Sequence, residues 1–303
     1  MNRKYFLGMV LAGIVLLSIA GVLFFTQQSV TSGAPQTDAA VAMPDDDIHR
    51  GASAASGPVN DFIALGLTRA QAGDVSGAIE AFEVALAAAD NATDSAMPNY
   101  YLGLVYAQGN DMDTAIDYME SAVEADPEMA VAWVALGSMR LSTGRPVTAI
   151  DAFTQALALN PDDPITLTNR GQAYMHISAF DRALDDFNRA IELNPELAAA
   201  YFNRGSYYMR QGDPAAAVDD FTSVLDLDAS QAAAHFNRAM AYIDLGQTEE
   251  AINDLVIFLA FRPEETLRAQ AQAVLDELRG VTPEASEDGA PPESTTDPTD
   301  ERN

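Results

Sequence analysis

The chain has 303 residues, a formal net charge of −29, a single lysine (Lys4) and no cysteine. Binding to nucleic acid rests on clustered Lys and Arg that neutralise phosphates, so this charge balance argues against a nucleic-acid partner and against adsorption to anionic lipid. Without Cys there are no disulfides, no thiolate metal sites and no lipid-attachment cysteine.

Arg3 and Lys4 precede Tyr5 to Phe25, 21 residues without a charge. A helix crosses the bilayer core with about 20 apolar residues, so residues 1–26 read as an uncleaved signal anchor. The competing reading is a cleaved signal peptide, with a shorter apolar region ending in a small-x-small site. Ser18-Ile19-Ala20 has that form, but the apolar run continues to Phe25, and Ser32-Gly33-Ala34 is followed directly by Pro35. The first basic residue after the segment is Arg50. The positive-inside rule then puts the N-terminus in the cytoplasm and the rest of the chain outside it, periplasmic or at the cell surface. Residues 27–58, rich in Ala, Ser, Gly, Thr and Pro, read as a flexible linker. The acidic run Asp45 to Asp47 within it reads as solvated charge.

From Val59 to Glu265 the chain repeats. Copies start at Val59, Ala96, Ala130, Pro164, Ala198 and Ala232, with a period of 34 residues apart from three extra residues, Thr93 to Ser95. With each copy numbered from 1, position 8 reads Gly66, Gly103, Gly137, Gly171, Gly205 and Ala239. Position 20 is Ala throughout, and position 24 reads Phe82, Met119, Phe153, Phe187, Phe221 and Leu255. Each half carries apolar residues at helical spacing. The halves are separated by breaks such as Gln211-Gly212-Asp213-Pro214, which supply a helix-ending Gly, an N-cap Asp and a first-turn Pro. Pro127, Pro161, Pro195 and Pro263 close the second half of their copies, whereas Asp90 and Ala229 stand at that place in the other two. A helical hairpin of this size cannot bury its apolar face alone, so the copies must stack.

This pattern resembles the tetratricopeptide repeat (TPR) family over about two thirds of the chain. The resemblance implies an all-α solenoid of six stacked antiparallel helix pairs, 59–95, 96–129, 130–163, 164–197, 198–231 and 232–265. It also implies a concave groove lined by the first helices. Val224 and Phe258 stand where the family has a small residue at position 27, so the last two copies are expected to pack differently. Residues 266–279 continue a helical pattern and read as a capping helix. Residues 280–303, rich in Pro, Glu, Asp, Ser and Thr, read as a disordered acidic tail.

Two residue sets stand out inside the repeats. Position 7 is Arg170, Arg204 and Arg238 in the last three copies and Leu in the first three. Position 23 changes with it to Asp186, Asp220 and Asp254. This covariation predicts structural ion pairs joining the two helices of each hairpin. Position 6 of the same copies is Asn169, Asn203 and Asn237. The family resemblance implies that this position borders the groove, where an amide supplies both the donor and the acceptor a peptide group requires. The competing role is satisfying neighbouring backbone groups. The resemblance also implies a groove lining of Thr168, Phe202, Phe236, Met175, Met209, Met240 and Ile243, apolar and adaptable, although these residues also suit contact between repeats.

Nothing in the sequence has the spacing of a catalytic or metal-binding constellation. His49, His176 and His235 are scattered, and no phosphate loop, zinc-binding His pair or nucleophile elbow is visible. The expected protein is a membrane-anchored, non-enzymatic binding protein without a cofactor. Its partner is a protein or peptide, and it acts as scaffold, assembly factor or chaperone-like adaptor. A form released by signal cleavage is the alternative, and an accessory module of an envelope enzyme complex is a more distant one.

Overall fold

The computed structural model describes residues 57–280. The anchor expected over 1–26, nearly all of the linker over 27–58 and the tail after Gly280 lie outside the described residues. The described part holds thirteen helices in stacked pairs. The pairs are α1 (Pro58–Gln71) with α2 (Val75–Ala87), α3 (Ala92–Gln108) with α4 (Met112–Ala125), and α5 (Ala130–Ser142) with α6 (Pro146–Leu159). They continue with α7 (Pro164–His176) and α8 (Phe180–Leu193), α9 (Ala198–Gln211) and α10 (Pro214–Leu227), and α11 (Ala232–Asp244) and α12 (Thr248–Ala260). Helix α13 (Glu265–Arg279) packs on α12. Among the described residues no helix is long and apolar enough to cross a membrane.

Local chemistry fixes where each helix stops. Position 15 of every copy has positive φ: Gly73, Asn110, Gly144, Ser178, Gly212 and Gly246. The backbone N–H of position 16 then bonds back to the carbonyl of position 11, as from Asp213 to Tyr208 at 2.9 Å and from Ala179 to Tyr174 at 2.9 Å. The position 15 N–H meets the carbonyl of position 12, so all six first helices end in the same Schellman turn. Ser178 adopts the left-handed conformation at a cost of about 1 kcal/mol, which the glycines avoid. Asp74, Asp111, Asp163 and Asp213 cap the helices that follow them.

Thr93 to Ser95 are not a loop between repeats. They belong to an added first turn of α3, capped by Asn91, whose side chain accepts from the Asp94 N–H at 3.0 Å. Where Ala229 replaces the closing Pro, Asp228 holds the turn with more bonds than Asp126 or Asn194 makes at the same place. It accepts from the Ser230 N–H (2.9 Å), the Ser230 hydroxyl (2.6 Å) and the Gln231 amide (2.7 Å). The Ser230 hydrogen bonds keep the Asp228 carboxyl below its ordinary value.

Each pair closes on the contact of position 8 with position 24. A methyl carbon built on Gly137, Gly171 or Gly205 falls 2.6, 2.6 and 2.9 Å from the ring of Phe153, Phe187 or Phe221, so only Gly leaves room for the buried ring. The sixth pair solves the same problem in reverse. Ala239 at position 8 faces the smaller Leu255, and the ring moves to position 27, where Phe258 packs on Phe236 at 5.0 Å.

Each first helix after α1 also packs on the second helix of the preceding pair, and neighbouring first helices touch (α1 with α3, α5 with α7, α7 with α9, α9 with α11). No two second helices pack together to that extent. The first helices therefore form the tighter, inner wall of the stack. Its N-terminal part is filled: α3 is buried from Ala96 to Val105 apart from the half-buried Met97, and burial pushes the Tyr100 phenol up to about 12.

Gly137→Ala is expected to destabilise the protein by about 1–3 kcal/mol despite the better helix propensity of Ala, because the Phe153 ring must shift. Combined with Phe153→Leu, which recreates the Ala239 and Leu255 pair, it should cost less than the sum of the single changes. Denaturant midpoints of the four proteins check this, and additivity would refute the steric account.

Candidate functional site

The site is the inner wall of the last four pairs, and the two helices of each pair hold it in place. A first helix turns positions 4, 7, 8 and 11 toward the second helices. The opposite face then carries positions 2, 6, 9 and 13, one turn apart. From α5 to α11 these positions form four rows along the stack. Position 2 gives Val131, Ile165, Ala199 and Ala233. Position 6 gives Ala135 and the three asparagines. Position 9 gives Ser138, Gln172, Ser206 and Met240, and position 13 gives Ser142, His176, Arg210 and Asp244.

Behind the wall, the structure brings the three arginines onto their aspartates in bidentate pairs. Arg170 donates from Nε and Nη2 to Asp186 at 2.8 and 2.8 Å, Arg204 to Asp220 at 2.9 and 2.7 Å, and Arg238 to Asp254 at 2.8 and 2.9 Å. The fork matches a carboxylate with one N–H on each oxygen. The hydrogen bonds they donate to the aspartates raise all three guanidinium groups above their ordinary value, against the burial that lowers it. Burial pushes the Asp220 carboxyl up while the Arg204 hydrogen bonds pull it down. The bidentate geometry is that of the ionised carboxylate.

Each arginine also reaches backwards. Its Nη1 donates to position 25 of the preceding pair: Arg170 to Thr154 (3.4 Å), Arg204 to Asn188 (2.7 Å) and Arg238 to Thr222 (3.0 Å). The guanidinium groups lie 5.7–5.8 Å from the ring centres of Tyr174, Tyr201 and Tyr242, and that of Arg204 also lies 6.0 Å from Tyr208. One side chain thus ties three helices. The reading of the sequence found the pair within each hairpin and missed the link between hairpins. The signal was available: position 25 is Thr, Asn and Thr just before the Arg copies, and Glu120 before Arg140 of α5, which it meets at 2.8 Å. In α5 the arginine stands one turn later, at position 11, and also donates to the Thr148 carbonyl at 3.1 Å.

His235 is buried at position 4. Its Nδ1 faces Asp254 at 2.8 Å and its Nε2 faces the Ala229 carbonyl at 3.4 Å. Trp133, at the same position of its copy, donates to the Pro127 carbonyl at 3.0 Å. His235 therefore holds the joint between neighbouring pairs.

The lining expected from the sequence divides in two. Asn169, Asn203 and Asn237 stand half-buried in the position 6 row. The Nδ2 of Asn169 is buried without a hydrogen-bond partner. Phe202 and Met240, however, are only 4 % and 5 % exposed, and Thr168 is buried as well. Phe202 meets Phe221 edge-on at 5.6 Å within the cluster of α9, α10 and α11, and Met240 packs with α12 and α13. They fill the joints between pairs and are not accessible lining. Met175, Met209, Phe236 and Ile243 are half-buried and likewise pack into those clusters. Positions 5 and 12 point sideways, toward the next pair. The apolar residues that do face outward from the wall are Val131 and Ile165, at 44 % and 45 % exposure, and sequence reasoning passed over both.

A family model described as tetratricopeptide repeat matches residues 63–130, 102–164 and 202–256, and a second model of the same description matches 164–197. Among solved structures, the crystal structure of MamA is 27 % identical with a TM-score of 0.51, covering 55 % of this chain and 96 % of MamA. A tetratricopeptide repeat protein from Parabacteroides merdae is 16 % identical with a TM-score of 0.64, covering 74 % of this chain and 88 % of its own. YrrB, described as a TPR protein with an unusual peptide-binding site, is 24 % identical with a TM-score of 0.51, covering 64 % and 99 %. The last two are likenesses of fold alone. A search of the curated proteins finds no match.

Asp220→Ala is expected to cost about 3 kcal/mol, the lower end for breaking a buried pair, because Arg204 keeps 20 % of its side-chain surface exposed. Arg204→Ala added to it should cost far less than it does alone. A double-mutant cycle on denaturation midpoints checks this, and additive costs would mean the pair carries no coupling.

Proposed function

Because the chain belongs to the tetratricopeptide repeat family, we propose that it is a docking protein that holds an extended segment of a protein partner along its inner wall. The observation that carries this reading is the amide row. Asn169, Asn203 and Asn237 recur one repeat apart and stand half-buried on the same face of three consecutive first helices. Each amide carries both a donor and an acceptor, the pair a peptide group requires, so the row favours a bound backbone over an empty surface. The amides read the main chain, and the surrounding rows read side chains. The role is scaffolding or assembly, and no step of it requires bond chemistry.

The proposal includes a membrane tether. The 21 uncharged residues Tyr5 to Phe25, with Arg3 and Lys4 before them, support an N-terminus in the cytoplasm and a repeat array on the far side of the membrane.

With a photoreactive residue in place of Ile165, the full-length protein in intact cells is expected to form a discrete cross-linked product. The Asn169/Asn203/Asn237→Ala triple variant should lose it, and a photoreactive residue in place of Asp226 on α10 should give none. Equal cross-linking from both places, or in the triple variant, would remove the inner wall as the docking surface. For the tether, protease added to cells with an opened envelope should digest the array while intact mass shows residues 1–26 retained. Loss of those residues would indicate release by cleavage, and protection of the array would reverse the topology.

A further inference from the structure

Carboxylates are distributed unevenly between the two walls. The six first helices contain only Asp61, Asp94 and Asp244, whereas every second helix carries at least one Asp or Glu and most carry several. From α5 to α9 the first helices hold no carboxylate at all, in a protein with a net charge of −29. Most of the arginines are neutralised from behind: Arg140 by Glu120, Arg170 by Asp186, Arg204 by Asp220 and Arg238 by Asp254. Arg210 is different. It stands at position 13 on the exposed wall, next along the row from His176, and among the described residues it has no carboxylate partner. Its guanidinium lies over the Phe180 ring at 5.2 Å and donates a single hydrogen bond, at 3.3 Å, to the Met175 carbonyl. A guanidinium has five N–H donors, so most of them are left for a ligand. The aromatic ring and the helix-end carbonyl hold the group in place before anything binds.

We propose that Arg210 selects an acidic side chain within the docked segment, so that the partner of this wall is an internal acidic stretch of a protein. This deepens the docking reading above and rests on it. Charge complementarity supports it at short range. At about 0.15 M salt the Debye length is about 8 Å, while the acidic second helices lie a helix diameter, about 10 Å, behind the wall. Their repulsion is largely screened where the contact with Arg210 is not. The wall also says where in the segment the acidic residue falls. Beyond Arg210 the amide row continues to Asn237 on α11, so a chain following the row runs past the arginine instead of ending there. The next residue in the position 13 row is Asp244, which disfavours a second acidic residue one repeat on. At the other end Val131 and Ile165 offer the exposed apolar contacts. The fitted segment is thus apolar over α5 and α7, acidic at Arg210, and neutral or basic over α11.

The test uses arrays of random 15-residue peptides probed with the full-length protein. One array has amidated C-termini and a second has free ones. On the amidated array the wild-type protein should enrich Asp and Glu among bound peptides by about fivefold, the worth of one favourable partly exposed pair. Arg210→Gln should abolish the enrichment and Arg210→Glu should invert it toward Lys and Arg, with unchanged thermal melts. Arg262→Glu, in the exposed turn after α12, should leave it intact. Binding without acidic enrichment, or enrichment that survives Arg210→Glu, overturns this inference and leaves the docking reading standing. Enrichment confined to free C-termini replaces the internal acidic residue with a terminal carboxylate and also overturns it. Failure of the wild-type protein to bind any peptide, or binding identical to that of the triple Asn variant, overturns the docking reading and this inference with it.

Discussion

The distance between the two helices of a pair is set where position 8 meets position 24, and the rest of the array inherits it. A buried ring packs against a glycine in most pairs, and the close approach it permits brings position 7 within reach of position 23. The same approach leaves the opposite face of the first helix free to form a wall. Because pairs contact only their neighbours, stability is close to a nearest-neighbour sum, and a local change in this spacing is felt at one joint and the next.

The two halves of the array solve the problem of joining pairs with different chemistry. From α1 to α6 a continuous apolar cluster, with Tyr100, Leu102, Leu104 and Leu136 in it, runs across the joints. From α7 onward the apolar clusters are smaller and more local, and arginines span them. The directional bonds of a guanidinium fix the rotation of one pair on the next more tightly than aliphatic packing can. The rotation in turn keeps the three asparagines in line. The arginines therefore act on the wall without standing on it.

Acidic composition and an inner wall nearly free of carboxylates are two aspects of the same arrangement. The carboxylates sit where they solvate the outer wall or neutralise an arginine from behind, which keeps a strongly negative protein soluble while leaving its inner surface receptive. Arg210 is exposed between His176 and Asp244 in its row and has no carboxylate partner among the described residues, so its charge is available for selectivity.

The period, the six hairpins, the turns and the Arg–Asp pairs were legible in the sequence, because each depends on residues within one hairpin. Left-handed turns favour Gly or Asn, a close helix approach needs Gly opposite a ring, and a buried Arg needs an Asp in register. The wall itself was decided only by tertiary structure. The helical period separates the stripe that packs on the partner helix from the face opposite it. It does not say which flank of that face, positions 5 and 12 or positions 3 and 10, turns toward the next pair. That depends on the rotation between pairs, a relation between residues about 34 apart. So Phe202, apolar and correctly spaced, went into a joint, and Met240, in a wall row, was covered by α12 and α13, while Val131, Ile165 and Arg210 came to face the open side.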